Sequence, residues 1–110
     1  MTPSPPSTIA VATKQMHYVY ILRSLKDHML YLGWTTDLQR RLWEHNAGLS
    51  QATKTRGPFE LVYYEAYSHR EEAKAREYRL KRSQHALESL KKRIPLTIAL
   101  ASSWSKEGRG

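Results

Sequence analysis

Two short runs of β-forming residues, 17–23 and 29–34, flank the loop Ser24-Leu25-Lys26-Asp27-His28, and this closeness of two strands constrains the fold more than any other feature of the chain. The pair reads as a hairpin, with Lys26-Asp27 near its tip. If Ser24 faces Met29 across the loop, Tyr20 faces Gly33 and Leu22 faces Tyr31. Side chains alternate along a strand, so this register puts Tyr20 and Tyr31 on one sheet face, diagonal to each other. A slip of one residue would separate them.

After the hairpin the pattern turns helical. Thr36 or Asp37 can cap a helix over residues 38–47, and Gly48 can end it. Residues 49–58 form a polar, basic connection that carries Lys54 and Arg56 and closes on Gly57-Pro58. Residues 59–67, with Leu61, Val62, Tyr63 and Tyr64 at their centre, read as a third strand. Ser68 and Glu71 have capping-box spacing and predict a helix running to about Arg82. Ser83 can cap one more short helix, which Pro95 follows closely. The predicted order, ββαβα with an extra C-terminal helix, is an α+β fold: a small antiparallel three-stranded sheet flanked by helices. Residues 1–15 read as a flexible N-terminal extension, 16–94 as the folded domain and 95–110 as a C-terminal tail.

Lysine and arginine total 18 against 10 acidic residues, a net charge of +8 with a pI near 9.9. That imbalance favours a polyanionic partner, nucleic acid first and an anionic membrane surface second. The absence of cysteine excludes disulfides and thiolate metal sites. The five histidines form no His-Glu-x-x-His pattern, so a zinc site has no support. No apolar run approaches the roughly 20 residues that a membrane helix needs. The N-terminus lacks the basic start and long apolar core of a secretory signal, and a cytoplasmic location is expected.

Three charged or polar positions break the helical patterns. At about 100° per residue, Leu38, Leu42 and His45 share one arc of the first helix, with Arg41 at its edge. The head group of such an arginine can meet a bound phosphate or snorkel past the core to solvent. On the second helix Ala73, Glu77 and Leu80 recur at i, i+4, i+7, which sets a carboxylate in the most apolar stripe. It needs a cation there, and a metal ion or an ion pair with Arg41 would both serve. Tyr63, Tyr64, Tyr67 and Tyr78 read as packing residues, and the histidines other than His45 as surface. Lys54 and Arg56 are candidates to touch a nucleic-acid backbone, whereas the mixed charges over 70–93 read as a solvated face.

Taken in order, Tyr18-Val19-Tyr20, Tyr31-Leu32-Gly33, Arg41, His45 and Glu77 resemble the motif set of the GIY-YIG nuclease superfamily. His45-Asn46-Ala47-Gly48 and Arg56-Gly57-Pro58 are similar to segments of its small stand-alone bacterial members. Tyr18 stands where the founding motif has its first glycine, and Trp34 where some members carry a lysine. The resemblance implies a metal-dependent endonuclease that hydrolyses phosphodiester bonds, of DNA rather than RNA, in repair or recombination. It implies Tyr20, Tyr31, Arg41, His45 and Glu77 as catalytic residues and Gly33 as the motif glycine. Arg41 would grip the scissile phosphate, and Tyr20 would receive the proton of the attacking water with Tyr31 or His45 relaying it. Glu77 would hold one Mg²⁺ or Mn²⁺. Asn46, Lys54, Arg56 and Lys81 are the expected nucleic-acid contacts, and a partner protein is expected to supply specificity. A catalytically weak nucleic-acid-binding module of the same fold and a ribonuclease are the alternatives.

Overall fold

The computed structural model describes residues 14–99. The expected extension up to residue 13 and the tail from residue 100 lie outside the described residues. The chain runs β1 (His17–Ser24), β2 (Leu30–Thr35), α1 (Leu38–Asn46), β3 (Phe59–Tyr67), α2 (Arg70–Arg82) and α3 (Gln84–Arg93). The strands form one antiparallel sheet in the order β2-β1-β3, the α+β architecture expected from the sequence. The hairpin pairs Tyr20 with Gly33 and Leu22 with Tyr31, as the loop length implied. A register shift between Ile21 and Leu22 lies where β1 meets β3.

Alternation along β1 divides the interior into two layers. Val19 and Ile21 face a cluster with Leu30, Leu32, Ala73, Leu80, Leu87 and Leu90, so α2 and α3 cover that side of the sheet. Tyr20 and Leu22 face the other way, into a smaller cluster with Tyr31 and Phe59, against which Leu38 and Leu42 of α1 pack. Full burial of one such leucine contributes about 1.5–3 kcal/mol. The two helices that carry Arg41 and Glu77 therefore approach the sheet from opposite faces.

Local capping fixes the helix ends. The Asp37 side chain accepts from Arg40 N (3.0 Å) at the start of α1, and Gly48 after its end takes the left-handed conformation (φ 76°) that a side chain would strain. Ser83 accepts from Ala86 N (3.1 Å) and starts α3. The predicted capping box of Ser68 and Glu71 does not form. Its register is off by one: strand pairing continues to Tyr67 and the cap falls on His69, whose side chain makes no capping bond. Glu71 and Glu72 instead lie in the first turn, where their charge favours the helix N-terminus.

One ion pair of α2 was hidden in the mixed-charge stretch. Arg76 donates Nε and Nη2 to the two carboxylate oxygens of Glu65 on β3 (2.9 and 3.0 Å). Tyr63 and Tyr67 pack against the larger cluster and also donate their hydroxyls to Glu65 (2.7 and 2.6 Å). Burial works to raise the Glu65 carboxyl, yet Arg76 and the two phenols hold it below its ordinary value. This network clamps α2 to β3 on the face away from Tyr20.

Candidate active site

Tyr20, Tyr31, Arg41 and His45 meet on the α1 face of the sheet. The Tyr20 side chain is 2% exposed; its hydroxyl accepts from Arg41 Nε (3.3 Å) and lies 3.0 Å from His45 Nε2. Gly33 makes this possible. A Cβ built on that glycine would stand 2.5 Å from Tyr20 Oη and 2.7 Å from Cζ, so the phenol lies across the strand where any other residue would put its side chain. The motif glycine thus serves close approach, not backbone conformation. Gly33→Ala should push the ring off Arg41 and His45, lower stability by about 1–3 kcal/mol, and reduce activity with it. Chemical denaturation beside a cleavage assay checks both.

His45 is 1% exposed and walled by aromatic rings, with centroids 5.0 Å (Tyr31), 5.9 Å (Phe59) and 6.0 Å (Tyr20) away. Its other ring nitrogen, Nδ1, lies 2.6 Å from Thr53 Oγ1. Thr53 is fully buried, and sequence reasoning missed it. Nothing in a polar loop distinguishes it from Thr55, and only the folding of the connection over α1 brings it inward.

The electrostatics of the cluster oppose charge. Burial, then the Arg41 charge, bring the His45 pKa from 6.5 down to about 4, with Glu44 pulling the other way. The imidazole is neutral near pH 7. Because the folded pKa lies below the unfolded one, the unfolded chain takes up the proton first on acidification. Stability from this group is complete above pH 6.5 and falls as pH drops toward 4, by about 3 kcal/mol. Denaturant titrations across that range should show the loss, and a His45→Gln protein should show a flatter profile. Burial pushes the Tyr20 phenol up to about 12, against the hydrogen bond and charge of Arg41 and with the charges of Tyr31 and Glu77 adding to the rise.

Arg41 is poised at the edge of the cluster. Its Nη1 donates to Glu44 (3.0 Å) one turn along α1, and its side chain is 33% exposed. A recess of about 340 Å³ beside it is lined by Trp34, Asp37, Arg40 and Glu44 among others. Trp34, at the position where a lysine was a possibility, packs its indole against the larger core cluster.

Glu77 makes no hydrogen bond to the cluster among the described residues, and its side chain is 19% exposed, between the buried Ala73 and Leu80. The alternative of a Glu77–Arg41 ion pair is not realised: Arg41 pairs with Glu44, and Glu77 with Lys81 (3.3 Å). The Glu77 charge nevertheless acts on the Tyr20 phenol. Among the described residues no three His, Asp or Glu side chains converge as a metal site. A single partly buried carboxylate, once released from Lys81, suits a hard divalent ion that keeps water and takes phosphate oxygens as its remaining ligands.

The expected nucleic-acid contacts separate in space. Lys54 is exposed, beside a recess of about 410 Å³ that Asn46, Gly48 and Thr55 also line. The Asn46 amide bridges α1 to β3, accepting from Phe59 N (2.6 Å) and donating to Phe59 O (3.2 Å). Arg56 is turned inward; its side chain is 12% exposed and its guanidinium pairs with Asp27 of the hairpin loop (3.3 Å). Lys81 is held by Glu77.

The sequence matches the GIY-YIG catalytic domain over residues 16–92, and the chain belongs to the GIY-YIG family. It is 47% identical over 68 residues to a UPF0213 protein of Clostridium perfringens, covering 61% of this chain and 72% of that one. A UPF0213 protein of Staphylococcus haemolyticus is 50% identical over 66 residues, 59% of this chain and 79% of its own. The solution NMR structure of a UPF0213 protein from Bacillus halodurans aligns with a TM-score of 0.47 at 38% identity, over 82% of this chain and 99% of that one. Among the described residues no helix is long and apolar enough to cross a membrane.

Proposed function

We propose that this protein is a metal-dependent endonuclease that hydrolyses phosphodiester bonds of nucleic acid, DNA in the first instance, in a repair or recombination setting. The surroundings of the Tyr20 hydroxyl carry the proposal. A guanidinium and a neutral imidazole touch one phenol oxygen, and a carboxylate charge reaches it from the other helix. A buried structural tyrosine needs one hydrogen-bond partner, as Tyr63 and Tyr67 have in Glu65, but not a guanidinium and an imidazole converging on one oxygen.

Arg41 takes a non-bridging oxygen of the scissile phosphate. Its Nε and Nη1 are engaged by Tyr20 and Glu44, which leaves Nη2 to the substrate, and the planar fork stabilises charge as it builds on phosphorus oxygens. Tyr20 takes the proton of the attacking water as the water oxygen bonds to phosphorus and the bond to the leaving 3′ oxygen breaks. The tyrosine's own proton has two routes, onto His45 Nε2 or to solvent on the side of the partly exposed Arg41. Glu77 would hold the Mg²⁺ or Mn²⁺. When bound, such an ion supplies charge stabilisation at phosphate oxygens and cancels a carboxylate charge that helps to keep Tyr20 protonated. Tyr31 closes the side of the imidazole.

Lys54 and Asn46, next to the C-terminal end of α1, are proposed to follow the backbone beyond the scissile phosphate, with Arg56 and Lys81 contributing positive charge behind them. Contacts to phosphate carry no sequence information, so specificity is assigned to substrate shape or to a partner protein. Labelled single-stranded, duplex and branched DNA, and RNA, incubated with the protein in Mg²⁺ or Mn²⁺ test the proposal. Products with a 5′-phosphate and 3′-hydroxyl are expected, with binding that weakens steeply as salt rises. Binding to the whole panel without a cut strand would favour the non-cleaving module, for which Trp34 and the high Tyr20 pKa speak.

A further inference from the structure

The hydroxyl of Thr53 decides how His45 meets Tyr20. The connection between α1 and β3 is polar and irregular, and Lys54 and Thr55 are exposed, yet Thr53 is 0% exposed. Backbone bonds hold it there. Thr53 N donates to Ser50 O (3.1 Å), Arg56 N donates to Thr53 O (2.9 Å), and Ser24 Oγ donates to Arg56 O (2.6 Å), which ties the loop to the end of β1. The hydroxyl is not needed for that placement. Its partner among the described residues is His45 Nδ1, 2.6 Å away.

Two proton arrangements are available to a neutral imidazole between two hydroxyls. If Nδ1 carried the proton, the Thr53 hydroxyl hydrogen would be buried with no acceptor among the described residues, which is costly at a site no water reaches. If Nε2 carries it, Thr53 donates to Nδ1 and is satisfied. His45 then donates to Tyr20, and the hydrogen left without an acceptor among the described residues is that of Tyr20, which borders the partly exposed Arg41, rather than that of the fully buried Thr53. The separations favour the second arrangement: 2.6 Å between Thr53 and Nδ1 is shorter than the about 2.7–3.2 Å of N–H donors and within the range of O–H donors, while 3.0 Å to Tyr20 suits an N–H donor. We propose that Thr53 is a positioning residue that fixes His45 with its proton on Nε2, so that His45 donates a hydrogen bond to the Tyr20 oxygen and does not accept the tyrosine proton.

The inference rests on the reading of Tyr20 as the group that takes the proton of the attacking water. With Arg41 Nε and His45 Nε2 both donating, the oxygen has two N–H bonds that favour its phenolate form and oppose the effect of burial. The tyrosine proton leaves to solvent on the Arg41 side, the phenolate takes one proton from the attacking water, and the leaving 3′ oxygen takes one from solvent. Three aromatic rings keep the imidazole from rotating out of this arrangement.

Two measurements on the full chain test it. In the ¹⁵N-labelled protein without substrate at neutral pH, the ring-nitrogen shifts of His45 should report the proton on Nε2; a proton on Nδ1 would overturn the assignment. Thr53→Val preserves shape and removes the donor. It should lower kcat roughly tenfold with KM unchanged, and Thr53→Ser should restore kcat to within about twofold. Wild-type turnover in Thr53→Val, or a loss that serine fails to restore, would overturn the positioning role. Because the NMR measurement involves no substrate, a protein that cuts nothing yet carries the proton on Nε2 would sink the nuclease reading and leave the hydrogen-bond assignment standing.

Discussion

Glu77→Ala should leave a folded protein whose cleavage falls to background, at least about a hundredfold below wild type, since bound metal supplies several kcal/mol of transition-state stabilisation. The fold should survive because Glu77 holds little of it together. Its ion pair is an i,i+4 contact to Lys81 on the same helix, worth about 0.3–0.5 kcal/mol, and alanine is the better helix former. Thermal unfolding should therefore move little while activity disappears. A large fall in melting temperature would instead make Glu77 a structural residue. Adding Mn²⁺ in excess should not rescue the variant, because the carboxylate is the protein's contribution to the ion's ligand set.

Arg41→Ala should reduce turnover by at least about tenfold, because the role proposed for the guanidinium is to act on charge that develops in the transition state. Arg41→Lys should recover little, since an ammonium cannot span Tyr20, Glu44 and a phosphate at once. A second readout is independent of substrate. The Arg41 charge is one of the two causes that hold the His45 pKa near 4, so His45 should titrate at higher pH in Arg41→Ala. The same coupling would act in the wild type, where a phosphate bound to Arg41 would offset the charge that His45 feels. Unchanged turnover in a folded Arg41→Ala protein would count against the role given to it.

The parts of the fold legible in the sequence were those set by nearby residues. Loop length fixed the pairing of Tyr20 with Gly33, and Asp37 and Gly48 marked the ends of α1 because capping is decided within one turn. The place of Arg41 at the edge of the buried arc of α1 followed from helix periodicity, whereas its meeting with Tyr20 was implied by the family resemblance alone. What escaped notice depends on contacts across the chain. Ser68 has the composition of a cap, but sheet pairing extends to Tyr67 and displaces the helix start by one residue. Arg76 sits among surface-like charges, yet Glu65 lies opposite it only once β3 and α2 pack. The pairing of Arg56 with Asp27 likewise forms only once the connection meets the hairpin loop. Thr53 is the most consequential of these, since its burial depends on a whole connection folding over α1, and no local pattern announces that.

The position of Gly33 also gains a reason from the structure. Glycine in a strand interior usually weakens it, and by sequence alone the residue carries only its place in a tripeptide. Here the missing side chain is the space that the Tyr20 hydroxyl fills, so the two tripeptides form one device: one strand supplies the phenol and the other makes room for it.

The most direct test is single-turnover cleavage of end-labelled DNA by the wild-type protein, run in Mg²⁺ and again in a chelator, with Glu77→Ala alongside. Strand cutting in Mg²⁺ that is lost both on chelation and in the variant is the predicted result. Cutting that persists in the chelator or in Glu77→Ala, or tight binding with no cutting by the wild type, would contradict it.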